Sequence, residues 1–172
     1  MKGGLEIPLH GSVDNLKNVE QISPNFFGIL PEDYFGFKAK ILVKEGDSIL
    51  QGQAILEDKA NEGFFIRSPA TGIIDSINRG EKRALVSVII KQQTEESLEF
   101  KKSKNFNEEL NNSGLWDSFR ERPFNRVPAV NSTPDFIFVN ACKTDKLDLD
   151  PNLIIELESE YFLKGLQNLN KL

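Results

Sequence analysis

Of the 172 residues, one is a cysteine, Cys142, and one is a histidine, His10. A lone thiol excludes an internal disulfide. Together the two exclude a self-contained zinc or iron–sulfur centre, which needs several thiolate or imidazole ligands. Basic residues are also in deficit: 21 Lys and Arg against 26 Asp and Glu leave a formal net charge of -5. That is the wrong sign for a nucleic-acid footprint. No apolar run approaches the roughly 18–20 residues needed to span a bilayer. The start, Met1-Lys2-Gly3-Gly4-Leu5-Glu6, lacks the apolar stretch of a signal peptide. These absences lead to the expectation of a cytosolic chain that has no nucleic-acid partner and meets a membrane only through its partners.

What is present is enough for a packed core, with 39% hydrophobic residues. Short apolar runs recur through the first hundred positions: Lys38–Val43, Ala54–Leu56, Gly63–Ile66, Gly72–Ile74 and Ala84–Ile90. Turn-forming clusters separate them at Glu45-Gly46-Asp47, Gly52-Gln53, Ser68-Pro69-Ala70 and Asn78-Arg79-Gly80. Strands of that length and spacing predict a small sandwich or barrel over residues 1–100. The polar stretch from Gln92 to Lys104 reads as a linker.

Residues 101–172 change character. Asn107–Phe119 predicts one or two short helices. The continuous apolar run Asp135–Cys142, after Pro134, predicts a buried parallel strand. Asp150 suits an N-cap and Pro151 a first helical residue, and Leu153, Ile154, Leu157, Tyr161, Leu166 and Leu169 follow near helical spacing. Helix, strand, helix is the opening of an α/β (Rossmann-like) domain. One strand makes no sheet, so the expectation is an α+β chain that stops before its second domain is complete.

The pattern Val43-Lys-Glu-Gly-Asp47, Gly52-Gln53, Glu57-Asp-Lys59-Ala60 and Ser68-Pro-Ala-Thr-Gly72 resembles the biotinyl/lipoyl hammerhead and its barrel-sandwich hybrid relatives. Gly46 and Gly52 are placed for tight turns with positive φ, and Gly72 for a close backbone approach. In lipoyl carrier domains a lysine in an Asp-Lys-Ala setting at a hairpin tip receives the swinging arm. Lys59 has that setting, but the interval to Pro69 is longer than carriers have, so covalent attachment at Lys59 is rejected.

Further stretches narrow the resemblance. Lys2–Pro8, Ile77–Arg83, Ser113-Gly-Leu-Trp-Asp-Ser-Phe-Arg-Glu-Arg-Pro-Phe-Asn-Arg-Val-Pro128, and Ile137–Ala141 followed by Asp148 and Asp150-Pro151 resemble, in order, the N-terminal part of the NqrA family, whose members are subunits of the sodium-translocating NADH:quinone oxidoreductase. The resemblance implies a fragment of a longer, cofactor-free subunit. Such a subunit sits peripherally on the cytoplasmic face of the bacterial inner membrane and interacts with the other subunits and with ubiquinone, while NADH oxidation is coupled to sodium export. Flavin-bearing cousins carry a glycine-rich loop whose bare amides cradle a phosphate. The comparable place here offers Gly114 followed by Trp116, Phe119, Arg120, Pro123 and Phe124, so FMN is not expected. Two alternatives remain open: the corresponding subunit of an Rnf-type electron-transport complex, and a lipoyl-type carrier.

A quinone headgroup is flat and apolar with two carbonyl oxygens, so it calls for aromatic walls and a few donors. Two segments have that composition. Phe119, Arg120, Arg122, Phe124 and Arg126 alternate rings with guanidinium groups, and Tyr34, Phe35 and Phe37 surround Gly36. Packing at a domain junction accounts for the same aromatics equally simply. Asn78–Arg83 reads as a charged turn around Gly80, either solvated or a docking surface. Cys142 reads as a buried inert thiol beside Lys143, and Trp116 as a core anchor. His10 has no Ser or Asp constellation, so no catalytic residue and no metal ligand is assigned.

Overall fold

The computed structural model describes residues 22–100, 103, 105–142 and 149–172. His10, the signature at 2–8, Lys143 and Asp148 lie outside them. Contacts divide the chain into two compact units, one of them Ser23–Thr133, the other holding Pro134–Leu172.

The first unit is built on seven strands: β1 (Phe26–Ile29), β2 (Ala39–Ile41), β3 (Ser48–Ile49), β4 (Ala54–Asp58), β5 (Phe65–Arg67), β6 (Thr71–Arg79) and β7 (Leu85–Thr94). They form two antiparallel sheets, one ordered β1-β7-β6-β3 and the other β2-β4-β5. Alternation along each strand sends one set of side chains inward. The core is Ile29, Ile49, Ile74, Val88 and Ile90 from the first sheet, and Ile55, Leu56 and Ile66 from the second, with Val43, Phe64 and Ala70 between strands. Each buried Ile or Leu contributes about 1.5–3 kcal/mol of transfer free energy.

Two glycines are dictated by geometry. Gly52 has φ +87°, and a Cβ on Gly72 would stand 2.0 Å from the Lys91 carbonyl oxygen. Gly46 also has positive φ, so all three glycine expectations hold. The β6–β7 hairpin is different. Gly80 has φ -97°, and the positive φ values fall on Lys82 and Arg83. The expected linker is also tied down as far as residue 100. β7 runs to Thr94, the Leu98 amide donates to the Gln51 carbonyl at 2.8 Å, and the Phe100 ring lies against Gly52.

Past the described part of that stretch, α1 (Phe106–Asn112) begins at Asn105, whose side chain accepts from the Asn107 amide. A 3-10 turn, Trp116–Ser118, follows. This segment packs on the barrel, so the compact unit continues beyond residue 100 to Thr133. Trp116 is buried, as expected, and its Nε1 donates to the Pro128 carbonyl at 3.0 Å. Asn61 Nδ2 donates to the same oxygen at 2.9 Å.

In the second unit, α2 (Pro151–Leu157) starts as the sequence predicts: Asp150 caps the Asn152 amide, with Pro151 at the first turn. α3 (Ser159–Leu169) continues after a break at Glu158. The predicted strand at 135–142 does not form. It pairs with no other strand among the described residues, and Phe136 is 82% and Phe138 89% exposed. A strand needs a neighbour for its amides and carbonyls, and a parallel strand needs cover on both faces. Neither is supplied by α2 and α3 alone. Cys142 is accordingly exposed rather than buried.

Candidate functional site

A cleft of about 490 Å³ opens on the barrel unit where four separate stretches meet: Tyr34, Gln51-Gly52, β5 with Ser68, and residues 97–117. Its chemistry starts with alternation in β5. Ile66 points into the core, which sends Phe65 and Arg67 to the opposite face.

Arg67 is half-buried. Its Nε donates to the Asn111 carbonyl at 3.0 Å, Nη1 to the Gly52 carbonyl at 3.0 Å, and Nη2 to Asn112 Oδ1 at 3.1 Å. The guanidinium carbon lies 5.8 Å from the Phe65 ring centre and 5.6 Å from that of Phe100. Burial pushes its pKa down from the ordinary arginine value, because no carboxylate among the described residues pairs with it. Of the five N–H donors of a guanidinium, two are left over.

Facing it, Tyr34 follows the 3-10 turn Pro31–Asp33, and Asp117 lies in the 3-10 turn after α1. The Tyr34 hydroxyl is 3.5 Å from Asp117 Oδ2. Burial raises both pKa values. For Tyr34 the Asp117 charge adds to the effect, while for Asp117 the Arg120 cation and the Tyr34 bond oppose it. The phenol is thereby kept protonated, as a donor. Behind it, Phe37 stacks at 5.8 Å from Tyr34 and edge-on at 6.2 Å from Phe64, which fixes the ring's direction. Phe35 points away and is 73% exposed.

The 119–126 segment forms a separate small loop. Phe119 packs 5.5 Å from Trp116. Arg120 Nη1 donates to the Phe119 carbonyl at 2.8 Å and also to that of Asp117. Glu121 and Arg126 close the loop through a backbone bridge and a 2.8 Å ion pair, with the Arg126 guanidinium 5.1 Å from the exposed Phe124 ring. Arg122 is exposed, precedes the cis Pro123, and has no hydrogen-bond or ion-pair partner among the described residues. Of the eight residues singled out in the sequence, only Tyr34 lines the cleft. Arg120 reaches it indirectly, beside Asp117.

The amides around Gly114 are turned onto the chain's own carbonyls. Gly114 donates to Asn111 at 3.2 Å, Leu115 to Leu110 at 2.9 Å, Ser118 to Leu115 at 3.1 Å and Phe119 to Trp116 at 3.2 Å. Lys59 is exposed and opens the β4–β5 loop rather than occupying its tip. The Asp58 before it is a buried cap, accepting from the Lys38 and Ala60 amides at 2.9 Å each.

The cleft residues Phe65, Arg67, Phe100 and Asp117 were not singled out by sequence reasoning. The available signal was Arg67 itself, a cation in register with Phe65 on a short strand.

A family model described as the NqrA N-terminal barrel-sandwich hybrid domain matches residues 1–93, and one described as the NqrA second alpha/beta domain matches residues 101–172. Among curated proteins, the chain is 37% identical over 186 residues to the NqrA subunit of the Na(+)-translocating NADH-quinone reductase of Glaesserella parasuis serovar 5, covering 100% of this chain and 40% of that protein. It is 38% identical over 183 residues to the protein of the same name from Pasteurella multocida, covering 100% and 41%. The corresponding Haemophilus influenzae (strain PittGG) protein is 37% identical over 182 residues, with 100% and 40% covered. The chain thus spans about 40% of the length of these relatives.

Proposed function

Because the chain belongs to the NqrA family of Na(+)-translocating NADH-quinone reductase subunits, we propose that it is the part of such a subunit that receives the ubiquinone headgroup. In this reading it lies peripherally on the cytoplasmic face of the membrane complex and holds no FMN or other prosthetic group. Other subunits carry the hydride and sodium chemistry.

The observation that carries the quinone reading is the pairing, in one cleft, of the Tyr34 hydroxyl with the Arg67 guanidinium and the Phe65 and Phe100 rings. A quinone ring needs flat apolar walls, and its two carbonyl oxygens need donors. The rings supply the walls. The protonated phenol and the spare guanidinium N–H groups supply donors without placing a carboxylate of their own against the carbonyls. Asp117 holds the phenol from the side. The exposed Arg122 and Phe124 would form a second, outer contact for the quinone.

The cofactor-free reading is supported by the amides around Gly114, which are engaged within the chain and so do not present the donor-rich backbone that a flavin phosphate requires. The family match favours this assignment over the Rnf-type and lipoyl-carrier alternatives.

The test is an equilibrium titration of the full-length subunit with a short-tail ubiquinone analogue, comparing the native protein with Tyr34→Phe. Weakened binding in the variant supports the site, and unchanged binding removes it. A stoichiometric flavin absorbance in the purified subunit would overturn the cofactor-free part.

A further inference from the structure

The longest hairpin of the barrel unit, β6–β7, ends in a turn whose sequence conflicts with its geometry. The Ala84 amide donates to the Glu81 carbonyl at 3.0 Å, closing a turn in which both central residues, Lys82 and Arg83, have positive φ, 53° and 62°. Turns with two positive-φ positions take Asn-Gly or Asp-Gly, because a Cβ is crowded in that region. The chain places its two most strained non-glycine residues side by side where a glycine would relieve the strain, although Gly80 stands just outside in an extended conformation. Nothing in the folding of the hairpin accounts for that choice: neither side chain is buried, and neither has an ion-pair partner among the described residues.

What the choice does achieve is a fixed constellation of charge. Arg79, Lys82 and Arg83 are all exposed at the tip, against one acid, Glu81. The arrangement is braced. Arg79 Nη1 donates to the Arg83 carbonyl at 3.2 Å, and the Gly80 amide donates to the Ala84 carbonyl at 2.9 Å. Strain retained in a braced, exposed turn points to a role for its side chains outside the fold.

We infer that this tip, Arg79 with Lys82 and Arg83, is a docking point for an acidic surface on a partner subunit of the complex. The inference rests on the reading that the chain is one subunit of such an assembly. Three cations on a chain of net charge -5 are locally complementary to carboxylates. Their rigid spacing favours a fixed protein surface over a fluid leaflet, which a flexible basic segment serves as well. The tip also lacks the exposed Trp, Phe or Leu that interfacial insertion uses. Contacts of this kind set orientation and salt sensitivity.

The test uses the purified complete complex and measures how much of this subunit is retained as NaCl is raised. Two variants are compared with the native protein: Arg79→Gln/Lys82→Gln/Arg83→Gln, and Lys82→Asn/Arg83→Gly. The second removes two cations while giving the turn its preferred residues, so it is expected to raise the subunit's melting temperature and still lower its retention. Both variants should dissociate at several-fold lower salt than the native subunit. Native-like retention in either variant overturns the proposal. So does a tip-dependent binding of the isolated subunit to phosphatidylglycerol vesicles with no change in retention, which would assign the tip to the membrane. Quinone affinity of the Lys82→Asn/Arg83→Gly subunit, measured separately, should equal the native value. A loss of retention with normal quinone binding, or the reverse, keeps the fates of the two proposals distinct.

Discussion

The phenolic oxygen of Tyr34 lies 3.5 Å from the carboxylate of Asp117, joining residues 83 positions apart in the sequence. One belongs to the turn after β1 and the other to the turn after α1, and the contact sets the side of the cleft that faces Arg67. Burial raises the pKa of both partners.

Asp117 therefore makes stability depend on pH in a definite direction. Its folded pKa lies above the unfolded value of about 3.9, so its favourable contribution is complete below that value and is lost as pH rises through the folded pKa. Asp117→Asn does not titrate. The variant's melting temperature minus that of the native protein should increase as pH is raised from about 4 toward neutrality. A constant difference across that window would contradict the assigned burial.

Arg67 ties the end of α1 to the barrel through three acceptors on three residues. Arg67→Met keeps most of the stem but leaves those acceptors without their donor, and should cost about 2 kcal/mol. The lone Trp116 is buried in the same unit, so urea unfolding followed by its fluorescence reads the change directly.

Gly72→Ala tests the register of β6 against β7. The added methyl would meet the Lys91 carbonyl oxygen at 2.0 Å, backbone that cannot step aside without moving the strand. The expected cost is about 3 kcal/mol or failure to fold. A loss below about 1 kcal/mol would mean that the sheet is less tightly paired there than the structure has it.

Much of the barrel was legible because local chemistry decided it. Gly46 and Gly52 sit in turns that need positive φ, Gly72 sits where two backbones touch, and Asp150-Pro151 starts a helix by capping rules. β1 and β3 were missed. Each is short, and its pairing with β7 or β6 is decided by tertiary register rather than by its own alternation. The run 135–142 misled for the opposite reason: its composition fits a buried strand, but strand formation depends on neighbours that the described residues do not supply. The cleft was the least legible part. Its walls come from β5, residue 100 and the turns holding Tyr34 and Asp117, and no local pattern in the sequence connects these.

The most direct measurement is the quinone titration carried through three variants of the full-length subunit: Tyr34→Phe, Arg67→Met and Arg122→Ala. Loss of one hydrogen bond to a carbonyl oxygen corresponds to about tenfold in affinity. The cleft reading predicts that Tyr34→Phe and Arg67→Met each weaken binding by about that factor, with Arg122→Ala, at the outer contact, having a smaller effect. Native affinity in both cleft variants, with the loss confined to Arg122→Ala, would contradict it and move the headgroup to the 119–126 loop.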